Sequence, residues 1–252
     1  MGKILAVVNQ KGGVGKTTTA VNLTAALTEV GKKVLLCDFD PQANATSGLG
    51  LEKRKLRDSV YDVVIDGIPA KDAIVATAYG DVLPSSADLA GAAVELISMP
   101  EPNYRLKKAL QQVRDDYDYI LIDCPPSLEM LTLNGLAAAD GILVPVQCEY
   151  YALEGLADLM TTLRLAKKRM NPALEIFGVL LTMFDGRTNF STQVAQEVRK
   201  HFPGKVYATV IPRNVRLAEA PSHGLPVTVY DRHSRGAQAY RNVAQEILAR
   251  AI

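Results

Sequence analysis

The segment Asn9-Gln10-Lys11-Gly12-Gly13-Val14-Gly15-Lys16-Thr17-Thr18 stands between a short aliphatic run, Ile4 to Val8, and an amphipathic stretch, Thr17 to Val30. Strand, glycine-rich turn and helix in that order make a loop whose backbone N–H groups converge on phosphate oxygens, with the partial positive charge of a helix N-terminus behind them. Gly12, Gly13, Val14, Gly15, Thr17 and Thr18 are placed to line a phosphate chain, and Lys16 to reach its outer phosphates. The Thr17 hydroxyl is placed to ligate Mg²⁺. The usual spacing of such loops would put glycine at position 10, where this chain has Gln10 followed by Lys11.

The rest of the chain repeats the strand-then-helix pattern. Aliphatic runs at Val34 to Cys37, Ile120 to Ile122, Ile142 to Val146 and Phe177 to Leu181 read as buried strands. Helical spacing of apolar residues marks Tyr104 to Arg114, Leu153 to Met170 and Thr192 to Phe202. This alternation predicts an α/β fold, a mostly parallel twisted sheet with helices on both faces, organised as one domain over residues 1–252. Small helices and surface loops are expected from Leu49 to Pro84, the least regular stretch.

Composition narrows the function classes. No apolar leader and no run of about 18 apolar residues is present, which predicts a cytoplasmic protein without membrane attachment. Cys37, Cys124 and Cys148 are far apart and form no C-x-x-C pair, so they read as buried small hydrophobes and not as a disulfide, zinc or cluster framework. The net charge of +1 hides an asymmetry: 10 Lys/Arg against 5 Asp/Glu from Asp185 onward, and 18 against 22 before it. By itself a basic C-terminal quarter reads as a solvated charged surface, with contact to nucleic acid as the other reading.

Two more strand ends carry acids, in Cys37-Asp38-Phe39-Asp40-Pro41-Gln42 and Ile122-Asp123-Cys124-Pro125-Pro126-Ser127. Carboxylates at the carboxyl ends of neighbouring parallel strands converge on the crevice above the phosphate loop. There Asp38, Asp40 and Asp123 can hold Mg²⁺ and its waters and orient an attacking water. After the run ending at Leu181 the chain reads Thr182-Met183-Phe184-Asp185, with no Asn-Lys-x-Asp guanine-reading sequence, so ATP is favoured over GTP.

The run Lys-Gly-Gly-Val-Gly-Lys-Thr-Thr resembles the signature of the deviant Walker A ATPases of the ParA/MinD family, and the resemblance spans the chain from Gly2 to the helix at 236–251. It is closest to chromosome-partitioning ParA proteins of the Soj group. It implies a P-loop ATPase that dimerises with ATP and Mg²⁺, with Lys11 reaching across the dimer to the partner's nucleotide. Lys11, Lys16 and Asp40 would be the catalytic residues, Asp40 aligning the hydrolytic water and Asp38 supporting the metal shell. Met183 and the segment Ile211-Pro212-Arg213-Asn214 would lie around adenine, with Pro212 packing on the ring and Asn214 offering amide contacts, and Glu149 would approach the partner's ribose from the dimer-face segment Gln147 to Leu156. Arg187 and Arg216 match arginines that bind double-stranded DNA without sequence preference, which implies association with the nucleoid. A ParB-type centromere-binding protein would stimulate hydrolysis. The alternative implied by the same family is an ATPase that positions another cargo or regulates replication initiation.

Overall fold

In the computed structural model, residues 1–127, 129–149 and 152–250 are described, without the side chains of residues 152–154. Seven strands form one sheet: β1 (Lys3–Val7), β2 (Val34–Asp38), β3 (Val75–Thr77), β4 (Gly80–Leu83), β5 (Tyr119–Asp123), β6 (Gly141–Gln147) and β7 (Glu175–Thr182). Their order is β3-β4-β2-β5-β1-β6-β7, and every neighbouring pair is parallel except β3 with β4. The five predicted strands are all present within one or two residues of their expected bounds.

The helices are α1 (Lys16–Glu29), α2 (Asn44–Gly48), α3 (Val60–Val64), α4 (Ala70–Ala73), α5 (Leu89–Glu95) and α6 (Arg105–Gln111) in the first half. The second half adds α7 (Met130–Ala138), α8 (Ala152–Arg169), α9 (Asn189–His201), α10 (Val215–Glu219), α11 (Val227–Tyr230) and α12 (Arg235–Arg250). Helix α9 starts three residues before its predicted position because Thr188 caps it, accepting a hydrogen bond from Ser191 N–H.

Strand alternation divides the apolar residues between two cores. Ile4, Leu35, Cys37, Ile120 and Ile122 face the side covered by α3, α5, α6, α7 and α8. Leu5, Val7, Leu36 and Leu121 face the side covered by α1 and α12. Burial on both faces explains why these strands read as unbroken aliphatic runs. Each fully buried aliphatic side chain contributes about 1.5–3 kcal/mol relative to exposure. The three cysteines are free and buried in the protein interior.

The second core locks α12 onto α1. Thr19 Oγ1 lies 3.2 Å from the Tyr240 hydroxyl, and Arg241 donates two hydrogen bonds to Glu29. Arg250 donates to the carbonyls of Phe177, Lys205 and Val206 and lies over the Tyr207 ring, 4.0 Å from its centroid. That ring packs so closely on β7 that a Cβ at Gly178 would sit 2.4 Å from it.

One expectation needs correction. The stretch Leu49 to Pro84 contains not only small helices but also the β3–β4 hairpin, which extends the sheet at its β2 edge. Leu35, Leu36 and Cys37 pair with Asp81, Val82 and Leu83, so the strand character of Gly80–Leu83 comes from its partner β2.

Register brings the functional ends together. Val7 is opposite Asp123, and Asp123 is opposite Asp38. The phosphate loop and both strand-end acids therefore leave the sheet at one level of its carboxyl edge.

Candidate functional site

The loop after β1 is tethered to β6 and β7. Asn9 donates to the carbonyl of Pro145 in β6 at 2.7 Å and accepts from Lys11 N–H at 3.0 Å. Thr182 at the end of β7 donates to the Val14 carbonyl at 2.8 Å. Gly13 and Gly15 have φ of 73° and 91°, a region open to glycine but costly for other residues. Nothing lies within 4 Å of where a Cβ at Gly12 or Gly13 would project, so the space beside this part of the loop is open. Helix α1 starts directly after Gly15 with no side chain capping its N–H groups, which leaves donors for an anion.

Lys16 closes the loop, its ammonium donating to the Lys11 carbonyl at 3.1 Å with the residue only 7% exposed. Burial lowers its pKa, and the charge of Asp123 opposes that fall. A buried lysine with one carbonyl partner has donors to spare for phosphate.

The three strand-end acids have different surroundings. Asp123 is fully buried, and neither of its oxygens receives a hydrogen bond of normal geometry. Burial first, then the charge of Asp38, raises its pKa, while the nearby Thr17 hydroxyl and Lys16 favour the carboxylate. A buried carboxylate without donors is costly unless a ligand supplies them. Thr17, Lys16 and Asp123 around an open loop therefore fit a phosphate chain with a divalent cation. Among the described residues no cluster of three His, Cys, Asp or Glu side chains could hold a metal alone, so such a cation would share its coordination with Thr17 and phosphate oxygens.

Asp38 is also fully buried, but its oxygens are engaged. Oδ2 accepts from Thr46 N–H and hydroxyl, both at 2.7 Å, and Oδ1 accepts from Asp40 N–H at 3.3 Å. The Thr46 hydroxyl in turn accepts from Ser85 N–H. These contacts make Asp38 an anchor for the loop that carries Asp40. Asp40 is 9% exposed; its Oδ1 accepts from Gln42 N–H at 2.9 Å, and its Oδ2 has no hydrogen-bond partner among the described residues.

Burial raises the pKa of Asp38 to about 6, against hydrogen bonds that lower it. The folded chain thus holds protons at Asp38 and Asp123 more tightly than the unfolded chain does. The contribution of Asp38 to stability is complete below about pH 4 and is lost as pH rises through about 6, and that of Asp123 is likewise present at low pH and lost as pH rises. Asp123→Asn removes one buried charge and its repulsion of Asp38, so it is expected to flatten the decline of Tm between about pH 5 and pH 7 in nucleotide-free protein. Parallel thermal melts of parent and variant check this; equally steep declines would count against it.

A cavity of about 280 Å³ adjoins the loop, lined by Gly15, Thr18, Thr182, Met183, Pro212 and Asn214 among others. Met183 has a φ of 50°, held by the bonds Phe184 N–H to Ile211 O at 2.9 Å and Arg213 N–H to Phe184 O at 3.2 Å. A non-glycine residue kept in this conformation beside a cavity marks a constrained site. Asn214 Oδ1 caps α10 by accepting from Arg216 N–H at 2.8 Å, which leaves its amide NH₂ as a donor. Ile211 and Arg213 of the expected segment line it too, whereas sequence reading missed Thr182, Leu217 and Tyr240, which also line the cavity. For Thr182 a signal existed, its place at the carboxyl end of a parallel strand; the others depend on tertiary packing.

At the cavity mouth, Lys11 lies 3.8 Å from Glu149 and Arg213 lies 3.0 Å from it. Of the segment expected at a dimer face, Tyr150 and Tyr151 lie outside the described residues. Arg187 and Arg216 are apart from the loop and on the surface, and both are paired. Arg187 forms two hydrogen bonds to Asp185, at 2.9 and 2.7 Å, which hold the Asp185 carboxyl down at about 2. Arg216 contacts Glu219 at 2.8 Å and Asp231 at 3.2 Å.

A family model described as an AAA domain (AAA_31) matches residues 2–176. The sporulation initiation inhibitor protein Soj of Bacillus subtilis (strain 168) is 57% identical over 251 residues, covering 99% of each chain. The chromosome partitioning protein ParA of Caulobacter vibrioides (strain NA1000 / CB15N) is 51% identical over 252 residues, covering 98% of this chain and 94% of its own. Among solved structures, that of cobyrinic acid a,c-diamide synthase from Mycobacterium smegmatis with bound ADP and magnesium superposes with a TM-score of 0.86 at 41% identity, over 98% of this chain and 94% of that one.

Proposed function

Since the chain belongs to the Soj/ParA family of partitioning ATPases, we propose that it couples the binding of ATP and Mg²⁺ to dimerisation on DNA, and ATP hydrolysis to release from it. The observation that carries the nucleotide part is Asp123, a buried carboxylate without donors beside Lys16 and Thr17 at an open glycine loop.

In this reading the N–H groups of the loop and α1 hold the phosphates, Lys16 neutralises them, and Thr17 with Asp123 holds the cation. When bound, Mg²⁺ supplies charge neutralisation at the transferring phosphoryl group. Met183, Pro212 and the Asn214 NH₂ border adenine. Asp40, fixed by Asp38 and Thr46, orients the attacking water. Lys11 reaches the nucleotide of a second copy, which makes ATP part of the dimer interface. No helix among the described residues is long and apolar enough to cross a membrane. On this proposal the protein acts in the cytoplasm at the nucleoid, where a ParB-type partner stimulates turnover.

The basic C-terminal quarter supports DNA as the partner, with Arg187 and Arg216 reaching its phosphates. The two arginines are paired with Asp185, Glu219 and Asp231, and each guanidinium has more N–H donors than these contacts use. Co-sedimentation with DNA is expected with ATP and not with ADP or without nucleotide. Equal sedimentation in all three conditions would defeat the coupling.

Arg187→Ala and Arg216→Ala are expected to weaken binding equally on unrelated sequences, since pairing with phosphate carries no base information. The slope of log K against log[salt] should become shallower by about 1 for each arginine removed, roughly twice that in a dimer. A salt titration of ATP-loaded protein on two DNAs checks this, and an unchanged slope would make both arginines ordinary surface charges.

A further inference from the structure

Glu149 joins three segments that meet at the mouth of the nucleotide cleft. Its Oε2 lies 3.8 Å from Lys11 Nζ on the phosphate loop, and its Oε1 accepts from Arg213 at 3.0 Å. The Gln147 side-chain amide, at the end of β6, donates to the same Oε1. Arg213 belongs to the segment that lines the cavity beside the loop. Two cations from distant parts of the chain therefore share the two oxygens of one carboxylate, which makes an anion position between them.

The three side chains are 36%, 43% and 57% exposed for Lys11, Glu149 and Arg213, so each pair is weak and screened by water. Such a carboxylate is readily exchanged for a more highly charged anion. A nucleotide entering this cleft brings several negative charges toward the same cations and toward Glu149 itself. We infer that Glu149 holds, in the nucleotide-free chain, an anion position between Lys11 and Arg213 that a nucleotide phosphate takes over. The inference rests on the ATP reading above and adds to it an exchange of anions at the moment of loading.

The size of the effect should depend on ligand charge. Glu149→Gln keeps the side chain's shape but releases both cations and removes the repulsion of the phosphates. It is expected to bind ATP with Mg²⁺ about three- to tenfold more tightly than the parent, the range given by removing two exposed ion pairs. The gain should be smaller for ADP and nil for adenosine, which carries no phosphate. Arg213→Ala should weaken ATP binding, and adding Glu149→Gln to an Arg213→Ala, Lys11→Ala background should give no gain.

Isothermal titration of the full chain with each of the three ligands reads these effects, with thermal melts showing that all variants are folded. Unchanged affinity in Glu149→Gln would overturn the exchange, as would a gain that persists without Lys11 and Arg213. Weaker ATP binding would also overturn it, because Glu149 would then itself touch the nucleotide. If the folded parent bound adenosine, ADP and ATP not at all, the ATP reading itself would fall and the exchange with it.

Discussion

Lys16→Ala is expected to weaken ATP binding by at least about 10²-fold, while Lys11→Ala keeps it and abolishes the ATP-dependent dimer. The difference follows from where the two lysines stand. Lys16 is buried inside the loop, its ammonium donating to the Lys11 carbonyl, and its charge interacts with that of Asp123. Removing it leaves a buried carboxylate uncompensated as well as the phosphates, and deleting a charged partner from a site shielded from water costs about 3–4 kcal/mol. Lys11 is half-exposed at the rim, where among the described residues its ammonium pairs with Glu149, so its removal leaves the loop intact. Nucleotide titration followed by size exclusion with ATP separates the two effects. A Lys11→Ala variant that dimerised normally with ATP would refute the role proposed for it across the subunit boundary.

Asp40→Ala should slow hydrolysis by about 10²–10³-fold and leave an ATP-bound dimer that persists, the effect expected when a group that orients the attacking nucleophile is deleted. Asp40 can be removed cleanly because the loop does not depend on its carboxylate. Asp38 still binds the Asp40 backbone N–H and both donors of Thr46, and Thr46 is tied to Ser85 at the end of β4. Only the bond from Gln42 N–H to the side chain is given up. Phosphate release and dimer lifetime, measured together, check the prediction. Turnover at the parental rate would assign the water to another residue.

The parts of this site that could be read from sequence are those whose chemistry is local. The loop is contiguous, its glycines and Lys16 are fixed by chain spacing, and Asp38 and Asp123 end strands whose aliphatic runs are plain because both faces are buried. The β3–β4 hairpin was not legible, since Val75–Thr77 and Gly80–Leu83 are too short to carry a period and Gly80 and Asp81 disfavour a strand. Pairing with β2 overrides that preference. The partners of the candidate residues were equally hidden. Asp38 meets Thr46 across a turn and a helix start, Glu149 meets Lys11 and Arg213 from distant segments, and Arg216 meets Asp231 from the next short helix. Charge counts marked the C-terminal quarter as basic, but could not show that its Arg187 and Arg216 are already paired.

The clasp between α1 and α12 has a consequence for how the protein is made on the ribosome. Thr19, one turn into the helix that follows the phosphate loop, meets Tyr240, 221 residues later in the chain. Tyr240 also walls the cavity beside the loop, and Val243, Ala244 and Ile247 complete the core on the α1 face of the sheet. A nascent chain that has emerged through β7 holds every residue of the loop but has an unfinished cavity and an apolar α1 face without its cover. Pairings so far apart in sequence form last and leave apolar surface open until they do. Competence to hold nucleotide is therefore acquired late, when α12 docks, and not gradually during synthesis.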